Sequence, residues 1–170
     1  MYRKFSIAIL VLISVVVFTG CAGRNGLGYK QFESLRGFTI TADTSFEERG
    51  VLAGFDMLLE SELHEIMITG ARENMGIWWF GQLNEYANSL RSRAINAGHS
   101  NISEIRRIGH PTVYYYFTYT ARIQNVDFKY MVIAKMGESY HFVFNFATLE
   151  SRFAEHRQKF NRWAGQIIVS

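Results

Sequence analysis

His64-Glu65-Ile66-Met67-Ile68 comes nearer than any other stretch of this chain to a catalytic motif. It opens as a zinc-protease helix opens, with an imidazole followed by the carboxylate that would serve as general base. The second imidazole is missing, because Ile68 stands where that motif needs it. The local alternation is also that of a strand, which would turn such ligands apart. His99, His110, His141 and His156 have no ligand spacing among themselves. His156 lies at helical spacing between Phe153 and Phe160 and is expected at the edge of a core. No Gly-rich phosphate loop, nucleophile elbow or paired-carboxylate arrangement is present, and the scattered serines have no base at a motif distance. The pattern assigns no catalytic residue, metal ligand or cofactor, and the chain is expected not to be an enzyme.

Cys21 offers chemistry of another kind. It is the single cysteine among 170 residues, so the chain has no internal disulfide and no thiolate metal cluster. Arg3 and Lys4 precede an unbroken apolar run over residues 5–18, and Thr19-Gly20-Cys21-Ala22-Gly23 follows. Cations, an apolar stretch and then small residues form a signal-peptide layout. The 14-residue run is shorter than the roughly 20 residues that a spanning helix needs. Phe18-Thr19-Gly20-Cys21 resembles the lipobox of bacterial lipoproteins, with Phe18 where Leu, Val or Ile is usual. That resemblance implies removal of residues 1–20 and diacylglycerol attached to the Cys21 sulfur. Two or three acyl chains would then anchor the protein, where one alone binds a membrane only marginally. Ala22 resembles an outer-membrane sorting signal, which in a Gram-negative source implies the periplasmic face of the outer membrane. The alternative is an ordinary signal peptide with an incidental cysteine.

The domain that these residues would carry is close to neutral. The full chain bears +3, but the signal segment removes two cations and no acids, so 18 Lys and Arg fall to 16 against 15 Asp and Glu. That balance lacks the basic footprint of nucleic-acid binding. The aromatic content, a single proline and the absence of low-complexity runs indicate a packed core. Residues 21–36, with several glycines among mixed polar residues, read as the lipidated N-terminus and a tether of limited order. Residues 37–170 suit one domain.

Within that domain, residues 38–42 alternate as a strand, and residues 55–59 and 65–69 repeat the character around Ser61-Glu62. Over 78–98 the period changes. Leu83, Tyr86, Ala87, Leu90, Ala94 and Ala97 recur at three and four, predicting an amphipathic helix that ends near Gly98. Residues 113–120 are almost wholly aromatic or β-branched, a strong strand signal. A turn near Asn125 returns the chain, with Phe128, Tyr130, Val132 and Ala134 on one face of the next strand and Tyr140, Phe142, Phe144 and Phe146 on one face of another. Residues 149–164 are again helical, and residues 166–169 close as a short strand. Grouped strands with two separated helices predict an α+β fold, an antiparallel sheet covered by helices.

Gly109 and Pro111 before an aromatic strand, the hairpin near Asn125, Tyr140-His141-Phe142-Val143-Phe144-Asn145-Phe146, then Phe153, Phe160 and a terminal Ile167-Ile168-Val169-Ser170 together resemble the PsbP and DcrB-like group. The resemblance covers about the last 65 residues, plus the order of elements before them. It implies an α/β/α sandwich around a central antiparallel sheet. It also implies an accessory or scaffold role, as in family members that include a photosystem subunit, Ran-binding proteins and periplasmic lipoproteins. The matching positions are core positions, so no binding residue carries over.

Two features are candidates for interaction. Trp78, Trp79 and Phe80 follow Ile77 where the first helix begins, and three successive helical residues point about 100° apart, so one is left free as an anchor unless loop and helix bury them all. Arg106 and Arg107 face opposite ways on a strand, as a charge-protected edge or a site for an anionic headgroup or partner. The leading expectation is a lipid-anchored, non-catalytic envelope accessory protein with a protein partner. A small-ligand carrier with an apolar pocket lined by some of Tyr114, Tyr116, Tyr140 and Phe142 comes second, and a hydrolase assembled from distant residues third.

Overall fold

Alternation of large apolar and polar side chains builds most of this molecule, and the computed structural model describes it over residues 28–50, 54–74 and 82–170. Cys21, Trp78, Trp79 and Phe80 lie outside the described residues. The first half contains β1 (Tyr29–Ser34), β2 (Phe38–Asp43), β3 (Glu47–Glu48), β4 (Met57–Ser61), β5 (Ile66–Asn74) and helix α1 (Leu83–Asn96). The second contains β6 (Arg106–Ile108), β7 (Tyr114–Ile123), β8 (Val126–Met136), β9 (Tyr140–Leu149), a single 3₁₀ turn, helix α2 (Phe153–Gln166) and β10 (Ile168–Val169).

Seven strands form an antiparallel sheet in the order β3-β4-β5-β9-β8-β7-β6. The β7–β8 hairpin turns through Gln124 and Asn125 alone, both at positive φ, while Ile123 pairs with Val126. A two-residue turn of this hand matches the twist of the strands it joins, and Asn tolerates it better than most residues.

Strand β9 sits near the middle of the sheet and divides the core by its period of two. Phe142, Phe144 and Phe146 point to one face and meet Phe160 and Trp163 of α2 together with Phe38 and Ile40 of β2. Val143 points to the other face, where Leu83, Tyr86, Ala87, Leu90 and Ala94 of α1 lie over Phe117, Val132 and Ala134. Full burial of each such large side chain contributes about 1.5–3 kcal/mol before the cost of ordering it. The helices therefore cover opposite faces, and the predicted α+β sandwich is the observed architecture.

Two details differ from the sequence expectation. Tyr29–Ser34, expected within the tether, is a strand paired with β2 over six residues. Only Phe32 of this strand is buried, so one core side chain holds a segment whose composition reads as linker. The second detail concerns β2, which belongs to a separate three-stranded sheet, β1-β2-β10, beside α2 over one face of the main sheet. Gly70 of β5 permits this. A Cβ there would lie 2.8 Å from the Phe38 ring, which instead meets Phe144 edge-on at 5.1 Å.

Candidate functional site

A polar grouping gathers at one end of the covered face, from β2, β4, the turn after β4 and α2. Asp43 ends β2 and accepts the backbone N–H of Ser45 at 3.1 Å and also its hydroxyl, so the carboxylate locks its own turn. The Ser45 and Ser61 hydroxyl oxygens are 2.6 Å apart, and Ser61 accepts the His64 backbone N–H at 3.3 Å. The His64 ring brings Nε2 to 3.3 Å from Asp43 Oδ2, but without hydrogen-bond alignment, which leaves that nitrogen unpaired. His156 of α2 stands opposite, its ring centroid 6.1 Å from that of His64.

His156 is fully buried, and neither ring nitrogen has a partner among the described residues. The sequence places it at the core edge. The structure corrects this, because β2 and its sheet close over the flank of α2 that would otherwise meet water. Burial lowers its pKa first. Arg152, Lys159 and His64 push the same way, and Glu155, 4.0 Å from Nε2, opposes them. Burial and Lys159 also lower the pKa of His64, against the pull of Asp43. Both imidazoles are therefore neutral near pH 7.

The order within the cluster decides its chemistry. Activation of a hydroxyl nucleophile requires an imidazole between hydroxyl and carboxylate, so that the ring takes the proton while the carboxylate orients the ring. Here the carboxylate stands between the serines and the imidazole. Among the described residues no hydroxyl is hydrogen-bonded to the His64 ring, and the network ties β2, β4 and the following turn together. Among the described residues, no three or more His, Cys, Asp or Glu groups are placed to hold a metal ion.

The remaining histidines are dispersed. His141 is buried and stacks on Tyr86 at 4.3 Å beneath α1, with Nε2 unpaired, and His99 stacks on Tyr119 at 4.5 Å. His110 is exposed. Arg106 and Arg107 are both exposed on β6, the edge of the main sheet, as expected for a solvated edge strand. Neither has an ion-pair partner among the described residues. Arg91 and Arg93 are engaged elsewhere, with Glu104 at 3.2 Å and Glu73 at 2.9 Å.

Tyr114, Tyr116 and Phe142 are buried in the core with the α2 aromatics. Tyr140 is half-buried beneath the Arg72 guanidinium. A buried lysine also escapes sequence reasoning. Lys135, on β8, donates from Nζ to the Ile167 carbonyl at 2.5 Å and to Thr112 Oγ1 at 2.9 Å. Thr112 in turn donates to the Gly165 carbonyl at 3.2 Å. Carbonyls at a helix end lack intrahelical partners and attract cations, so this pair closes the end of α2. Desolvation lowers the Lys135 pKa to about 8. The alternating pattern of β8 conceals the role, because a lysine in a strand ordinarily reads as solvent-facing.

A seven-stranded antiparallel sheet with a helix on each face, joined on one side by a small sheet formed from both ends of the described chain, is a PsbP-like fold. Its likeness to solved structures confirms this. Cyanobacterial PsbP (CyanoP) from Synechocystis matches over 89% of this chain and 98% of its own, at 11% identity and a TM-score of 0.64. LpqN of Mycobacterium tuberculosis, described as involved in cell envelope biogenesis, matches over 86% of this chain and 92% of its own, at 7% identity and a TM-score of 0.51. No family model matches the chain, and no curated protein does. At these identities the likeness establishes the fold alone.

Proposed function

We propose that this protein is a lipid-anchored, non-catalytic accessory module of a bacterial cell envelope, acting by binding a protein partner or supporting an envelope assembly. The observation that carries the reading is the order of the polar cluster. The described residues bring Ser45, Ser61, Asp43 and His64 together, yet the carboxylate separates hydroxyl from imidazole. A chain with the parts of a hydrolase in the wrong order is better suited to being held in place than to turnover. The lipobox-like residues ending at Cys21 support the anchor, and the shared fold of an envelope-biogenesis protein supports the compartment.

Exposed Arg106 and Arg107 on the β6 edge are the candidate contact, with Trp78, Trp79 and Phe80. A photo-crosslinking residue placed at 78, 79, 106 or 107 in living cells tests this. A discrete crosslinked species from at least one position, lost in Arg106→Glu/Arg107→Glu or Trp78→Ala/Trp79→Ala, is the expected result. Absence of any discrete species from all four positions, with no phenotype from either double variant, refutes the partner.

A further inference from the structure

Away from the histidine cluster, a polar groove of about 230 Å³ opens between the β1–β2 turn and the end of β5, lined by Arg36, Asp56, Arg72 and Asn74. Arg72 and Asn74 are two residues apart on β5 and so share a face. Glu73 between them faces away and binds Arg93 through both carboxylate oxygens, at 3.0 and 2.9 Å. The Arg72 Cζ lies 4.0 Å from the centroid of the Tyr140 ring. A guanidinium held over an aromatic ring is positioned by its face while its N–H edge stays available. The Arg72 guanidinium has no acceptor among the described residues.

Asp56 organises the groove without neutralising it. Its Oδ2 accepts the Arg72 backbone N–H at 2.7 Å, and its Oδ1 stands 3.5 Å from Arg36 Nε. Two guanidiniums against one carboxylate leave the lining with one positive charge, and Asn74 adds amide donors. The volume falls below the roughly 300 Å³ at which pockets enclose a whole organic ligand, so the recognised unit is a small group.

We propose that this groove is a binding site for a carboxylate, received by the Arg72 edge and the Asn74 amide, with Arg36 closing from the turn. A planar monoanion matches both the guanidinium fork and the single net charge, whereas a dianionic phosphate would also confront Asp56. The groove does not require the proposed partner, because a free small acid presents the same carboxylate as the terminus of a peptide.

The test is a titration followed by NMR through the Asn74 side-chain amide and the Tyr140 ring, on the full chain in neutral detergent at constant ionic strength. The probes are sodium acetate, trialanine with a free carboxylate, trialanine amide and inorganic phosphate, with sodium chloride as the reference. Saturable shifts with acetate and free trialanine but not with the amide are expected. Arg72→Gln should weaken them at least tenfold. Asp56→Asn should tighten them several-fold, a gain that misfolding cannot produce. Similar midpoints for acetate and trialanine identify a small free acid as the ligand, and a tenfold lower midpoint for trialanine identifies a chain terminus. Carboxylate shifts no more saturable than those of chloride, unchanged midpoints in Arg72→Gln, or phosphate saturating below acetate each overturn the proposal.

Discussion

Replacing His156 with Leu separates two effects of burying an imidazole without partners. Both ring nitrogens are unpaired in a fully buried site, and each unmade hydrogen bond of this kind costs about 1–3 kcal/mol. Leu has nearly the same volume and nothing to satisfy, so with two such groups removed His156→Leu should be at least ~2 kcal/mol more stable at pH 7.5. The second effect has a definite sign. The folded pKa of His156 lies below its unfolded value, so as pH falls the unfolded chain binds a proton that the folded chain refuses. The stability is fully present above the unfolded pKa of about 6.5 and is lost on acidification toward the lower folded pKa. Between pH 7.5 and 5.5 linkage allows one such group to withdraw at most ~1.4 kcal/mol, or about 4 °C in Tm. Urea unfolding of both full chains in neutral detergent, at pH 7.5, 6.5 and 5.5, reads the gap. It should widen as pH falls, because His64, Asp43, Glu155, Arg152 and Lys159 are common to both. A gap that stays constant over those two units would refute the assignment of His156 as a buried neutral imidazole, whatever its size at pH 7.5.

Lys135 follows the same sign at higher pH. Its folded pKa of about 8 lies under the unfolded value of 10.5, so wild type should gain ~2 kcal/mol relative to Lys135→Met between pH 7.5 and 9.5, measured by urea unfolding. Parallel curves would remove the desolvated cation from the account. Gly70→Ala should cost about 1–3 kcal/mol, because the new methyl group meets the Phe38 ring, and Gly70→Ala/Phe38→Leu should recover part of that loss in the same assay. Cys21→Ala should abolish incorporation of labelled fatty acid, and labelling that persists would exclude Cys21 as the attachment site.

The second half of the fold was readable because β7, β8 and β9 spell their faces in aromatic and β-branched residues at a period of two. The hairpin turn was readable from Asn125. Tyr29–Ser34 was not, since a strand with one buried residue looks like a linker until its partner is known. Nor was the small sheet, whose β10 pairs with β2 from the far end of the chain through Ile168 and Val169. Asp43, Ser61, His64 and His156 come from β2, β4, a turn and α2, and no local period links them. The carboxylate groove is similar. Arg72 reads as an ordinary cation near a strand end, and only the β5–β9 register, which sets Arg72 against Phe142 and Asn74 against Tyr140, brings it over the tyrosine ring.

Because β1 begins at Tyr29, the stretch between Cys21 and the folded body has seven intervening residues, or eight Cα–Cα steps. Fully extended, it reaches about 27 Å. A domain of this size is roughly 35–40 Å across. With lipid on Cys21 the body would therefore ride the bilayer at less than its own diameter, with the β1 edge toward the lipid. If the proposed anchor and partner hold, that partner would have to come down to the membrane to be met, since a stretch of this length is too short to search for one across the space beyond.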